Sequence, residues 1–333
     1  VKLALVAHGL LPIPPTGWGA VEQTIWQRAQ RLRACGHVVD VFNTTYWHSV
    51  VDAINESDYD FVHLHNELFA LPFSRHLRAM WAVTTHYGGL TSFRPGGADR
   101  SFEYLFQDIL HAPAHIALTH DIADVLRNAS YCGPIVVVEN CVEHESFRIV
   151  DSPSRPAICL GRVQPRKRQA WLARAAAGRL EIDFVGPWVR NEEPDFSPAE
   201  ESRWLGEWDR STLYDQLGRY ACLVLLSRSE ACTPKAVLEA LAAGLSIVAS
   251  PACVQKLQGE RFITVVQDNA SPEAVIAAIK TAIACNPSQR PHIRAFARER
   301  FGYELGIHRY LAAIQQIISA QHCSLALNIP AEQ

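Results

Sequence analysis

Apolar positions along this chain gather into short runs of strand length, separated by polar turns and by stretches of helical period. The clearest unit spans 223–250. Leu223, Val224, Leu225 and Leu226 form a bare apolar run, the pattern of a parallel strand buried on both faces. A polar loop holding Glu230 follows, then a short helix carrying Glu239. Thr233 and Pro234 suit the N-cap and first position of that helix, and Gly244 suits a left-handed C-terminal cap. A second strand runs on to Ser250.

The same alternation repeats in both directions. In the first half, strands are predicted over 2–8, 38–42, 60–66, 81–88, 115–121 and 134–142. A helix with Val21, Ile25, Ala29 and Leu32 on one face ends near Gly36, and 148–156 reads as a linker. In the second half, strands are predicted over 157–160, 180–187 and 261–266, with a short strand and helix over 204–217. A helix is predicted over 272–284. A last helix, about 303–320, puts Ile307, Tyr310, Leu311, Ile314, Ile317 and Ile318 on one stripe. Strands alternating with helices predict an α/β fold with parallel sheets.

Length turns this pattern into two domains. A chain of 333 residues is long for one core and suits two domains of roughly 150 residues. We place the first at 1–150 and the second at 151–302, with 303–333 as a closing helix and tail. An apolar share of 48%, a charged share of 20% and a net charge of −3 predict a globular protein without general attraction to nucleic acid or anionic membranes. No apolar run is long enough to span a bilayer, and no signal peptide stands at the start as given. With Val1 first and the sole methionine at Met80, removal of an initiator is expected. Nine cysteines without a Cys-x-x-Cys pair predict reduced thiols in a cytoplasmic protein, not a zinc or disulfide framework.

Several positions carry chemistry. A helix beginning at the carboxyl end of a parallel strand offers free amides to phosphate, and Glu239 one turn in could accept both hydroxyls of a ribose. The plain alternative is a crossover helix with two solvated acids. Gly17 and Gly19 allow close backbone approach to a ligand, but Glu22 takes the third slot of Gly-x-Gly-x-x-Glu, so the dinucleotide fingerprint is absent. Two predicted strands deliver His65 and His86 to one edge, with His63 assigned to the opposite face. Arg162 and Lys167, five residues apart after a strand, could stabilise a leaving diphosphate. Trp208 could stack on a nucleobase or serve as core. Residues 91–100, rich in Gly, Pro and Arg, read as a mobile loop on the acceptor side.

Taken in order, these motifs resemble the retaining family-4 glycosyltransferases of GT-B architecture, the glycosyl transferases of group 1. The resemblance implies two Rossmann-like doubly wound domains facing across a cleft. It implies transfer of a hexose, with retention, from a UDP- or GDP-linked sugar to a hydroxyl acceptor on a saccharide, a natural product or a lipid-linked glycan. No cofactor or metal is implied, and membrane association would be peripheral at most. By the resemblance, His86, Glu230, Arg162 and Lys167 are the catalytic group, and Gly17, Gly19, Arg162, Lys167, Thr233, Lys235 and Glu239 hold the donor. The family spaces its two glutamates by seven residues, whereas eight separate Glu230 from Glu239. Either the loop carries one extra residue, the reading we favour, or Ala231 takes the register of the first acid. Arg168 and Cys141 stand where the family has glycines. The rivals are a non-catalytic nucleotide-sugar-binding protein and a GT-B nucleotide-sugar epimerase. A phosphorylase would need a pyridoxal-binding lysine, for which no context is found.

Overall fold

The structure is a computed structural model that describes residues 1–86, 90, 103–200, 202–254 and 257–327. The loop expected over 91–100 lies outside the described residues. Two compact units emerge: one takes Val1–Pro15, Gly19–Asn140 and the chain from Tyr303, and the other takes Thr16–Trp18 and Cys141–Gly302. We call them the first and second domains.

The first domain holds a parallel sheet of β1 (Lys2–Ala7), β2 (Val38–Asn43), β3 (Phe61–Leu64), β4 (Trp81–Val83), β5 (His115–Ala117) and β6 (Ile135–Val137), in the order β2-β1-β3-β4-β5-β6. In β1 the residues from Leu3 to Ala7 are almost wholly buried, as a strand covered on both faces must be. The helix Tyr303–Leu327 packs on the helix Ala20–Ala34 and on β6. Its stripe is buried at Ile307, Tyr310, Ile314 and Ile317, while Leu311 and Ile318 are half-buried.

The second domain repeats the design with β7 (Arg155–Leu160), β8 (Ile182–Val185), β9 (Arg203–Trp204), β10 (Tyr220–Leu225), β11 (Ser246–Ala249) and β12 (Ile263–Val265), in the order β12-β11-β10-β7-β8-β9. Alternate residues of one strand feed different cores. Leu223, Leu225, Ile247 and Ala249 enter one apolar cluster, while Cys222, Val224 and Val248 enter another. This is the two-sided burial that the unbroken apolar run at 223–226 requires.

Two sequence expectations fail here for identifiable reasons. The helix expected over 272–284 runs instead over Pro272–Phe301, through Pro287 and Pro291. Each proline removes one backbone donor, but side chains of the same stretch tie it to the sheet. Asn286 donates to Gly244 O at 2.9 Å, and buried Arg290 donates to Tyr220 O, Gly218 O and Val150 O at 2.9, 2.5 and 2.8 Å. Residues 148–156 likewise are not a free linker. Arg148 N donates to Tyr214 O, Ser154 N to Arg219 O, and β7 begins at Arg155, so the stretch is part of the second domain.

Candidate functional site

In a sheet of this kind the strand order reverses once, and the crevice beyond the carboxyl ends of the two strands at that point is where ligands sit. In the second domain those strands are β7 and β10. The exit of β7 carries Gly161 to Arg168, and the exit of β10 carries Ser227 to Glu230. They meet: Glu230 Oε1 lies 3.0 Å from Arg166 Nη1 and 3.3 Å from Lys167 Nζ. Arg166 also donates to Ser229 O. Burial alone would raise the Glu230 pKa, but Lys167 and Arg166 pull it below the usual carboxylate value.

A one-residue detail shapes this turn. Pro165–Lys167 is a single 3₁₀ turn that ends with Arg168 in the left-handed region at φ 60°. That conformation explains why glycine suits the position. Arg168 is held there by stacking on Trp171, 4.5 Å from the ring centroid, and by donating to Asp268 O at 3.1 Å.

The other sequence candidates of this domain separate from that cluster. Arg162, expected beside Lys167, instead meets Glu192 at 2.5 Å and lies 5.3 Å over the ring of Trp18. Gly17 stands beside Glu207, whose Oε2 would be 3.2 Å from a Cβ placed there. The helix carrying Glu239 spans Lys235–Ala243, with Pro234 at the N-cap position and no side-chain cap. Thr233 therefore sits in the loop before the helix rather than capping it. Gly244 takes φ 87° at the C-terminal cap, as the sequence predicted. The helix is uninterrupted from Lys235 to Ala243.

Glu239 is buried and paired with Arg210 Nη1 at 2.6 Å. Arg210 in turn donates to the Tyr214 hydroxyl at 2.9 Å, which donates to Glu143 Oε2 at 2.5 Å. Burial pushes the Tyr214 hydroxyl up to about 12. Lys235, one turn before Glu239, is buried with its Nζ 3.3 Å from Cys141 O. Burial pulls this ammonium down to about 8, opposed by Glu239 and reinforced by Arg210. Half-buried Trp208 packs against the apolar cluster of this domain, its ring centroid 6.4 Å from that of Tyr220.

The first domain's sheet reverses between β1 and β3. His8, at the exit of β1, pairs with buried Glu22 at 3.1 Å. Gly19 adopts φ 136° where the helix Ala20–Ala34 begins, and a Cβ there would stand 3.0 Å from Glu22 Oε2 and from Pro15. His65, just beyond β3, shares a hydrogen bond of 2.9 Å with His86, which follows β4. His63 was assigned to the opposite face, yet its ring centroid lies 3.9 Å from that of His65. Positions i and i+2 of a strand share a face, which is the reason. His63 bonds the Tyr310 hydroxyl at 2.8 Å and Thr84 Oγ1 at 2.7 Å. His86 N donates to Glu67 Oε1 at 2.8 Å.

The sequence reading missed Arg166, Arg210, Glu192, Glu143 and Tyr214. Arg166 had a signal, since it adjoins Lys167 in the same basic turn. The ion pair Arg210–Glu239 joins residues 29 apart, and no local period reports it.

A sucrose-phosphate synthase from Thermosynechococcus elongatus superposes with a TM-score of 0.78 at 18% identity, covering 96% of this chain and 99% of that one. Anabaena Alr3699/HepE, solved with UDP and glucose, gives 0.72 at 14% identity over 95% and 99%. AviGT4, a glycosyltransferase involved in avilamycin A biosynthesis, gives 0.70 at 15% identity over 96% and 98%. The fold is that of the GT-B glycosyltransferases. Within this GT-B chain, residues 155–285 match the family of glycosyl transferases group 1. That stretch includes both the Glu230 cluster and the Glu239 pair. No curated protein matches the sequence. Among the described residues, no helix is long and apolar enough to cross a membrane, and no cluster of three metal-ligating side chains forms.

Proposed function

We propose that this protein transfers a hexose from a nucleotide-diphosphate sugar, UDP- or GDP-linked, to a hydroxyl acceptor with retention at the anomeric carbon. The observation that carries the reading is the meeting of Glu230 with Arg166 and Lys167 at the switch point of the second sheet. Two cations can neutralise a departing diphosphate, and an acid held ionised can face the positive charge that develops on the sugar. The match to the group 1 glycosyltransferases over 155–285 supports the same reading. So does the complex of Alr3699/HepE with UDP and glucose, which shows the nucleotide class a neighbour of this fold takes.

In this proposal Lys167, Arg166 and the amides at the start of Lys235–Ala243, past Thr233, take the diphosphate. Arg162 joins them by exchanging Glu192 for phosphate. Glu239, its charge balanced by Arg210, accepts the ribose hydroxyls, and Lys235 adds charge nearby. Gly17 and Gly19 permit close backbone approach, and His86 contacts a substrate hydroxyl. The acceptor oxygen attacks the anomeric carbon on the face that the diphosphate leaves. A phosphate oxygen of the leaving group takes the acceptor's proton, so no second carboxylate nucleophile is needed. The charge on the diphosphate is met by side chains, so the reaction is proposed to run without a metal. The acceptor is a saccharide, a natural product or a lipid-linked glycan, and the protein is proposed to work in the cytoplasm.

The test is thermal stabilisation by a panel of nucleoside diphosphates and their sugars, with NAD as control. A ligand at one hundred times its dissociation constant adds about 2.7 kcal/mol. Stabilisation by UDP or GDP species, followed by transfer with an unchanged anomeric configuration in the product, is the expected result. Binding without transfer to any acceptor would favour a nucleotide-sugar-binding protein. No response, or a response to NAD alone, would overturn the reading.

A further inference from the structure

The histidine pair of the first domain determines which proton His86 offers. Burial, helped by the nearby Arg28 guanidinium, lowers His86 to about 3, and burial, with the crowding of His63 and His86 beside it, drives His65 well below the ordinary value. Both rings are neutral near pH 7, and each carries a single N–H. The contact His65 Nδ1 to His86 Nε2, 2.9 Å, must hold one proton. Two arrangements satisfy it.

If His86 donates, the proton of His65 resides on Nε2. That atom is buried and has no protein partner among the described residues, so a donor would be stranded there. If His65 donates through Nδ1, its Nε2 is a bare acceptor, and the proton of His86 moves to Nδ1. Orphaned buried N–H groups are rarer than under-satisfied acceptors. The second arrangement therefore prevails. The adjacent ring shows the same logic carried to completion. Thr84 donates its only hydroxyl proton to Ile116 O at 2.7 Å, so it must accept from His63 Nε2, and His63 Nδ1 must accept from Tyr310. His63, thus fixed, lies against the ring of His65.

We propose that His65 is a positioning residue that locks half-buried His86 as a neutral Nδ1–H donor to a substrate oxygen. His86 then gives one hydrogen bond and does not take a proton at that atom. This role rests on the glycosyl-transfer reading, whereas the tautomer does not.

The test is nitrogen-15 NMR of the full chain labelled at histidine, at pH 7, with the His86 signals assigned by their loss in His86→Gln. The expected spectrum shows His86 protonated at Nδ1 and bare at Nε2. A proton on Nε2 overturns the proposal. Two variants extend it. In His65→Asn the amide takes the place of Nδ1 and can still donate to His86 Nε2, so tautomer and turnover stay near wild type. In His65→Phe the donor is gone, His86 mixes its tautomers, and turnover falls roughly ten- to a hundredfold with little change in donor KM. Equal losses in both variants with an unchanged His86 spectrum would also overturn the role. Should the variants fail to fold, the wild-type spectrum decides. Should the wild type transfer no sugar, the functional reading fails while the spectrum still judges the tautomer.

Discussion

Two sheets of closely similar order bring their polar side chains to the same kind of place, yet they neutralise them by opposite means. The second domain pairs charge with charge: Glu230 with Arg166 and Lys167, Glu239 with Arg210, Glu192 with Arg162. The first domain, apart from the contact of His8 with Glu22, instead removes charge, keeping His63, His65 and His86 neutral by burial and linking them through hydroxyls and one shared proton. The scaffold does not dictate the chemistry; the strand-end residues do. Paired ions can be re-paired with a charged ligand, whereas locked imidazoles are suited to uncharged hydroxyls.

The largest separation between the two domains is expected under mild acid. A histidine whose folded pKa lies below its unfolded value binds fewer protons when folded, so stability falls as pH drops from about 6.5 toward the folded pKa. His86 and buried His115, lowered to about 3 and about 4, place that loss within the window from pH 6.5 to 4.5, and His63 and His65 add to it. A histidine that stays neutral in the fold across that window costs at most about 1.4 kcal/mol per pH unit. Glu230 and Asp183, both lowered, retain their contribution until the pH falls below the ordinary carboxylate range. Hydrogen exchange at pH 7 and pH 5 should therefore show protection lost first in β1, β3, β4 and β5 and kept in β7, β10 and β11. Equal loss in both would break the comparison.

Removing one member of a buried pair comes next. Glu239→Ala strands Arg210, and breaking such a pair costs about 3–5 kcal/mol. Denaturant unfolding should show that loss, and titration with UDP or GDP should show no binding. Adding Arg210→Met to Glu239→Ala removes the stranded charge, so stability should return in part while binding does not. Recovery of binding in the double variant would remove Glu239 from the ribose role.

How much of this was legible in the sequence follows from the range of the interactions. Strands such as β1 and β10 announce themselves, because a strand buried on both faces must be apolar throughout. The caps at Gly244 and the basic turn at Lys167 are local, and local rules found them. Thr233 was misplaced because the helix begins one residue after Pro234, not at it. The helix beyond Ala284 was hidden because two prolines argue against it locally, and the bonds that outvote them reach back to Gly218, Tyr220 and Gly244. The partners of Glu239 and Arg162 were hidden for the same reason, being settled by how distant segments meet. The face of His63 is legible locally, since a period of two places it with His65.

A smaller effect tests the ion-paired site on turnover. Glu230→Gln keeps the shape of the acid but removes its charge, and loss of one preorganised electrostatic group costs about 10²–10³ in kcat. Donor affinity should change little. An unchanged kcat would leave the non-catalytic reading standing.

The smallest effects concern affinity alone. Lys235 loses its proton as pH rises through about 8, so its help to a bound diphosphate should fade between pH 7 and 9. Lys235→Arg, which stays charged, should flatten that slope. The pair Arg162–Glu192 is partly open to solvent, with side-chain exposures of 28% and 40%. Pairs of that kind contribute about 0–1 kcal/mol, so phosphate can displace Glu192 at low cost. Glu192→Gln should then tighten donor binding by a few-fold at most, and the gain should shrink in high salt. Calorimetric titration of the two variants with the same nucleoside diphosphate reads both effects. Weaker binding in Glu192→Gln would show that the carboxylate orders Arg162 for the ligand rather than competing with it, and the second domain's pairs would then be supports, not stand-ins for phosphate.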